Sequence, residues 1–136
     1  MDPATAKKRI LVVEDNQDIR ELIIQMLVFE NYDISTAKDG EEALELISVQ
    51  RFDLILLDIM MPGISGLEVL AKIRSVKDPQ IKNLPVVVVT AKSLIDDIDA
   101  ALSAGATSYL VKPFRAAALK TKILNIFEGR ENVGPS

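Results

Sequence analysis

Three stretches of this chain, ILVV at residues 10–13, LILL at 54–57 and VVVV at 86–89, are apolar at every position. A strand with one wet face alternates between apolar and polar residues. A strand apolar throughout has both faces covered, as in a parallel sheet sandwiched between helices. Two mixed runs, YDIS at 32–35 and YLV at 109–111, fit the edges of the same sheet. Between the runs, Ile19, Leu22, Ile23, Met26 and Leu27 recur at helical spacing, as do Leu94, Ile95, Ile98, Ala101 and Leu102. Segments 41–49, 66–75 and 115–128 carry weaker versions. Strict alternation of five strands and five helices predicts an α/β fold with an open parallel sheet and right-handed crossovers. SVKDPQIKNLP, residues 75–85, reads as a long polar connection, and GRENVGPS, residues 129–136, as a frayed tail.

The 136 residues, 49% of them hydrophobic, suffice for one domain with one core. The net charge of −4 argues against binding nucleic acid by bulk electrostatics. With neither His nor Cys, the chain cannot carry a Ser-His-Asp or Cys-His pair, a zinc site of those ligands, a disulfide or its own phosphohistidine. No apolar run has the length of a membrane span or of a signal peptide, so no membrane insertion and a cytoplasmic location are expected.

In an open α/β sheet the ligand site lies beyond the carboxyl ends of the strands. Glu14 and Asp15 follow the first strand, Asp58 ends the third, Thr90 the fourth, and Lys112 with Pro113 follows the fifth. Each has an ordinary reading alone: Asp15 or Asn16 as a helix cap, Asp58 as a turn opener, Thr90 as a β-branched strand residue, Lys112 as a solvated cation. Together they are harder to explain structurally, because three converging carboxylates repel one another. A divalent cation removes the conflict, and an all-oxygen donor set suits Mg²⁺, which keeps open positions for water and phosphate oxygens. Lys112 and the Thr90 hydroxyl then face a bound phosphoryl group from other directions. Asp58, mounted on a rigid strand tip, is placed to attack phosphorus and form an acyl phosphate.

LVVEDN, LILLDIMMPGISGLEVL, PVVVVTAKS and GATSYLVKPF, in register with their strands, resemble the receiver domain of two-component response regulators, similar to the stand-alone chemotaxis receiver. The likeness runs from about Arg9 to Phe127. It implies the flavodoxin-like, doubly wound strand order 2-1-3-4-5, a receiver domain over residues 9–128, and flexible termini at 1–8 and 129–136. Carried over by residue, it makes Asp58 the phosphoacceptor. It makes Glu14, Asp15, Asp58 and the backbone carbonyl of Met60 the ligands of Mg²⁺ or Mn²⁺. Thr90 becomes the switch hydroxyl, Lys112 the phosphate-contacting lysine, Tyr109 the rotating aromatic switch, and Lys112–Pro113 a cis bond, which proline makes accessible. Met60 and Lys92 occupy positions associated with phosphoryl lifetime; an apolar Met60 gives nothing to orient a hydrolytic water, and slow self-dephosphorylation is expected.

The resemblance also implies partners: a histidine kinase or histidine phosphotransfer protein meeting the first helix and the loop after Pro113, and a downstream protein meeting the fourth helix, fifth strand and fifth helix. The chain is expected to be a monomer or weak dimer without direct nucleic-acid binding. It is not expected to be an enzyme beyond its own phosphorylation and dephosphorylation. A haloacid-dehalogenase-type phosphatase needs a second acid two residues after the nucleophile, where Met60 stands. A flavin or nucleotide module needs a glycine- or hydroxyl-rich loop where this chain has EDNQD. A receiver excised from a hybrid kinase or a longer regulator remains open.

Overall fold

In the computed structural model, residues 7–91 and 95–129 are described, with the backbone alone at 95–97. The expectations at Lys92, Leu94 and residues 1–6 and 130–136, and that for the Ile95 side chain, lie outside them. Five strands, β1 (Lys8–Val13), β2 (Tyr32–Ala37), β3 (Leu54–Asp58), β4 (Val86–Thr90) and β5 (Ser108–Val111), form one sheet. All pair in parallel, in the order β2-β1-β3-β4-β5. The two mixed runs are the edges and the three fully apolar ones lie inside.

The all-apolar strands divide their side chains between two cores. Leu11, Val13, Ile55, Leu57, Val86 and Val88 pack on one face, where Ala43, Ile47, Val69, Leu70, Ile73 and Ala101 meet them. These come from α2 (Gly40–Val49), α3 (Gly66–Ser75) and α5 (Ile95–Ser103). Ile10, Val12, Leu54, Leu56, Val87 and Val89 face the other way, onto Ile23 and Leu27 of α1 (Gln17–Leu27) and Leu119 and Ile123 of α6 (Ala116–Phe127). The period-2 pleat makes this division unavoidable. It also explains why no position in these runs tolerates water.

Several boundaries differ from the sequence reading, among them that of β2, which runs on to Ala37. Strand β1 begins at Lys8, which pairs with Tyr32 and sets its ammonium 5.5 Å from the Phe127 ring centroid. The connection at residues 75–85 holds a sixth helix, the single turn α4 (Pro79–Lys82). Its cause is local: Asp78 caps it by accepting from the Gln80 N–H at 2.9 Å, and Pro79 stands in the first turn, where its missing N–H costs nothing. Arg74 fastens the turn, donating to the carbonyls of Lys82 and Leu84 at 2.9 and 2.8 Å and to that of Gly105 at 2.9 Å. Burial lowers the pKa of its guanidinium.

Gly66 sets how closely α3 approaches β3. A Cβ there would collide with the Asp58 carbonyl oxygen and come within 2.7 Å of the Ile59 Cα, and the Gly66 N–H donates to the Ile59 carbonyl at 3.0 Å. Backbone meets backbone here, so no side chain can move aside.

Candidate functional site

The carboxyl ends of β1, β3, β4 and β5 converge, and the predicted residues converge with them. Carboxylate oxygens of Glu14, Asp15 and Asp58 all lie within 4.8 Å of one another. Glu14 and Asp58 are buried, at 2% and 4% exposure, whereas Asp15 is exposed. Asn16, not Asp15, caps α1: its side chain accepts from the Ile19 N–H at 3.0 Å. Asp15 is thereby released from that role and faces the other acids.

Asp58 is held at the strand tip by register and by the residues after it. It pairs with Val89, the Ile59 N–H donates to the Val89 carbonyl at 3.1 Å, and the Met60 N–H donates to Asp58 Oδ1 at 3.2 Å. The Met60 side chain points into solvent. Lys112 supplies the cation inside the cluster, its Nζ 2.7 Å from Glu14 Oε1 and 3.5 Å from Asp58 Oδ2. Burial pulls its pKa down, but the hydrogen bond to Glu14 and the charge of Asp58 outweigh this and raise it. The Lys112 N–H also donates to the Thr90 carbonyl at 2.7 Å, and the Lys112–Pro113 peptide is cis. Thr90 is buried at the end of β4, opposite Val111. Tyr109 is half-buried on the edge strand, with the Lys122 ammonium 5.5 Å from its ring centroid. Lys122 of α6 is therefore part of the aromatic's surroundings.

Three carboxylates against one ammonium leave the cluster with excess negative charge. The donor set is hard oxygen throughout, so the residues present fit a divalent cation of the Mg²⁺ type.

The comparison with known families decides the assignment: residues 10–124 match the response regulator receiver domain. The chain belongs to the response regulator receiver family. The response regulator MprA of Mycolicibacterium vanbaalenii is 43% identical over 115 residues, 85% of this chain and 48% of that protein. MprA of Mycobacterium leprae is 42% identical over 115 residues, 85% of this chain and 49% of its own. The receiver thus spans about half the length of these relatives. Among solved structures, the Vibrio cholerae chemotaxis protein CheY4 superposes with TM-score 0.82 at 31% identity, covering 89% of this chain and 99% of its own. A putative response regulator from Chloroflexus aurantiacus gives 0.84 at 32%, covering 90% and 99%. The flavodoxin-like fold expected from the sequence is the fold found, and two-component signalling is the context of the family.

Beside the acids the receiver has an apolar groove of about 190 Å³, lined by Ile19, Leu22, Ile23 and Met26 of α1 and by Lys112, Pro113 and Phe114. Leu22, one of the apolar residues at helical spacing, is 55% exposed there. Larger hollows of about 330 and 350 Å³ lie near Phe52 and Leu84 at the opposite end of the sheet, away from these acids. Sequence reasoning passed over Arg20, whose Nη1 donates to the carbonyls of Glu14 and Asp15 at 2.8 and 3.2 Å. Its only sequence signal was a basic residue one turn into the helix after the acidic pair. Among the described residues no helix is long and apolar enough to cross a membrane.

Proposed function

We propose that this receiver accepts a phosphoryl group on Asp58 from a phosphohistidine of a histidine kinase or phosphotransfer protein, in a reaction that requires Mg²⁺ or Mn²⁺. The observation that carries the reading is the buried Asp58 carboxylate, fixed at the tip of β3 beside two further acids and Lys112. An Asp58 oxygen forms the new bond to phosphorus as the P–N bond breaks; the bonding pair leaves with the imidazole, which takes a proton from water. Glu14, Asp15, Asp58 and the Met60 carbonyl would hold the cation, which supplies charge neutralisation and a template for the phosphoryl oxygens. Lys112 stabilises charge on the opposite side, and a Thr90 hydroxyl drawn to the new oxygens vacates space into which Tyr109 turns. The output is altered affinity for a downstream protein, a two-state population shift.

The groove between α1 and Phe114 suits an apolar helix face of the phosphodonor, because it adjoins Lys112. This donor chemistry goes with a cytoplasmic protein, monomeric or weakly dimeric. Beyond its own modification no enzymatic turnover is proposed, and the exposed apolar Met60 favours slow loss of the phosphoryl group. A second reading, a receiver serving as one module of a longer regulator, draws support from the MprA relatives, which continue over about half their length outside the match.

The test is intact-protein mass spectrometry after incubation with MgCl₂ and acetyl phosphate, beside Asp58→Asn. The gain of one phosphoryl group in the parent and none in the variant is expected. No gain, under conditions that modify another receiver, would overturn the reading.

A further inference from the structure

We infer that Arg20 is a positioning residue for the divalent cation: it holds the backbone of the loop between β1 and α1 so that Asp15 stays with the other two acids. The inference rests on the proposed cation role of Glu14, Asp15 and Asp58.

The two buried acids have anchors of their own. Glu14 lies against Lys112 at 2.7 Å and accepts from the Asn16 N–H at 3.2 Å, and Asp58 is fixed by its strand and by the Met60 N–H. Asp15 is exposed and belongs to neither β1 nor α1, so its place depends on the course of the loop. Arg20 controls that course from both ends. Its main-chain N–H donates to the Asn16 carbonyl at 3.0 Å, starting the helix, and its Nη1 reaches back to the carbonyls of Glu14 and Asp15. Among the described residues its guanidinium pairs with no carboxylate, so its hydrogen bonds act on the main chain and not on the charges of the cluster.

Charge and position make opposite demands here, which gives the inference a sign. A guanidinium near an anionic site repels an incoming cation, so electrostatics alone has its removal tighten cation binding. A lost clamp frees the two carbonyls to turn toward water and lets the Asp15 carboxylate leave the cluster, which weakens binding.

Titration calorimetry with MgCl₂ at fixed ionic strength, on the full chain, separates the two. Arg20→Gln is expected to bind Mg²⁺ about three- to ten-fold more weakly than the parent, the usual net worth of one hydrogen bond. Arg20→Lys, whose single ammonium nitrogen can still reach one carbonyl, is expected to fall between them. Circular dichroism checks the fold, and Arg20→Met provides the same comparison should the Gln variant unfold. Binding by the folded neutral variant as tight as the parent's or tighter overturns the Arg20 inference and leaves the cation reading standing. A parent that binds no Mg²⁺ overturns both.

Discussion

The Lys112 ammonium donates to Glu14 Oε1 at 2.7 Å across 98 positions of sequence, joining the end of β5 to the end of β1. Both groups are withdrawn from water, with side-chain exposures of 19% and 3%. The same nitrogen stands 3.5 Å from Asp58, so one cation offsets two buried carboxylates.

Removing that cation leaves buried anions without compensation. Lys112→Met is expected to lose on the order of 3 kcal/mol of stability in urea denaturation with EDTA present, as breaking a buried pair does. Mg²⁺ should restore part of it. An unchanged midpoint in EDTA would show that Glu14 and Asp58 do not depend on Lys112.

Asp58 meets two repulsive neighbours and one attractive one. Asp58→Asn is therefore expected to raise stability by about 1 kcal/mol in EDTA, the size of one like-charge contact at about 4 Å in a watery surrounding. Excess MgCl₂ should stabilise the parent more than the variant. A variant less stable than the parent in EDTA would contradict this account of the charges.

Gly66 carries no side chain because the Asp58 carbonyl occupies the place of its Cβ. Gly66→Ala is expected to cost about 2 kcal/mol through forced separation of α3 from β3, within the range for overpacked sites. It should also move the amide resonances of Ile59 and Met60. A neutral substitution with unchanged spectra would remove Gly66 as the determinant of that approach.

Arg74 satisfies three backbone carbonyls, from α4, the link between α4 and β4, and the turn after α5. Arg74→Met is expected to cost about 2 kcal/mol, as lost hydrogen bonds from a charged donor do when their acceptors are partly buried. Hydrogen exchange should speed up around residues 79–84. Exchange unchanged there would mean that the Asp78 cap alone maintains the turn.

Tyr32 packs edge-on against Phe127, ring centroids 5.7 Å apart, and its pKa is raised above 10.0 by burial and by the charge of Glu30. The folded state thus keeps the phenolic proton after the unfolded chain has lost it, so stability falls as pH rises above 10.0 and levels off beyond the folded-state value. Lys112, also raised, acts in the same direction above 10.5. In urea titrations at successive alkaline pH values, Tyr32→Phe should decline less steeply than the parent. Parallel declines would exclude Tyr32 as a contributor.

Sheet type, central and edge strands, and the acids at the carboxyl edge were all legible in the order of residues. Each follows from a short-range rule: period 2, period 3.6, and what stands directly after a strand. The helix at Pro79–Lys82 was legible in the same terms, since Asp78-Pro79 is a helix start, but the polar composition around it pointed to a loop. The choice of Asn16 over Asp15 as the α1 cap was not, because both side chains suit a cap and only the path of the loop separates them.

What no local rule supplies is which charges meet and which backbone groups are left to be satisfied. Lys112 finds Glu14 because β5 and β1 end on the same edge of the sheet, and Arg74 finds Gly105 because α3 packs beside the turn before β5. Gly66 must be bare because a carbonyl eight positions earlier has nowhere else to go. A carboxylate, a guanidinium or a glycine has the same chemistry wherever it stands in a sequence. Its partners, its exposure and the cost of changing it follow from long-range packing of the chain.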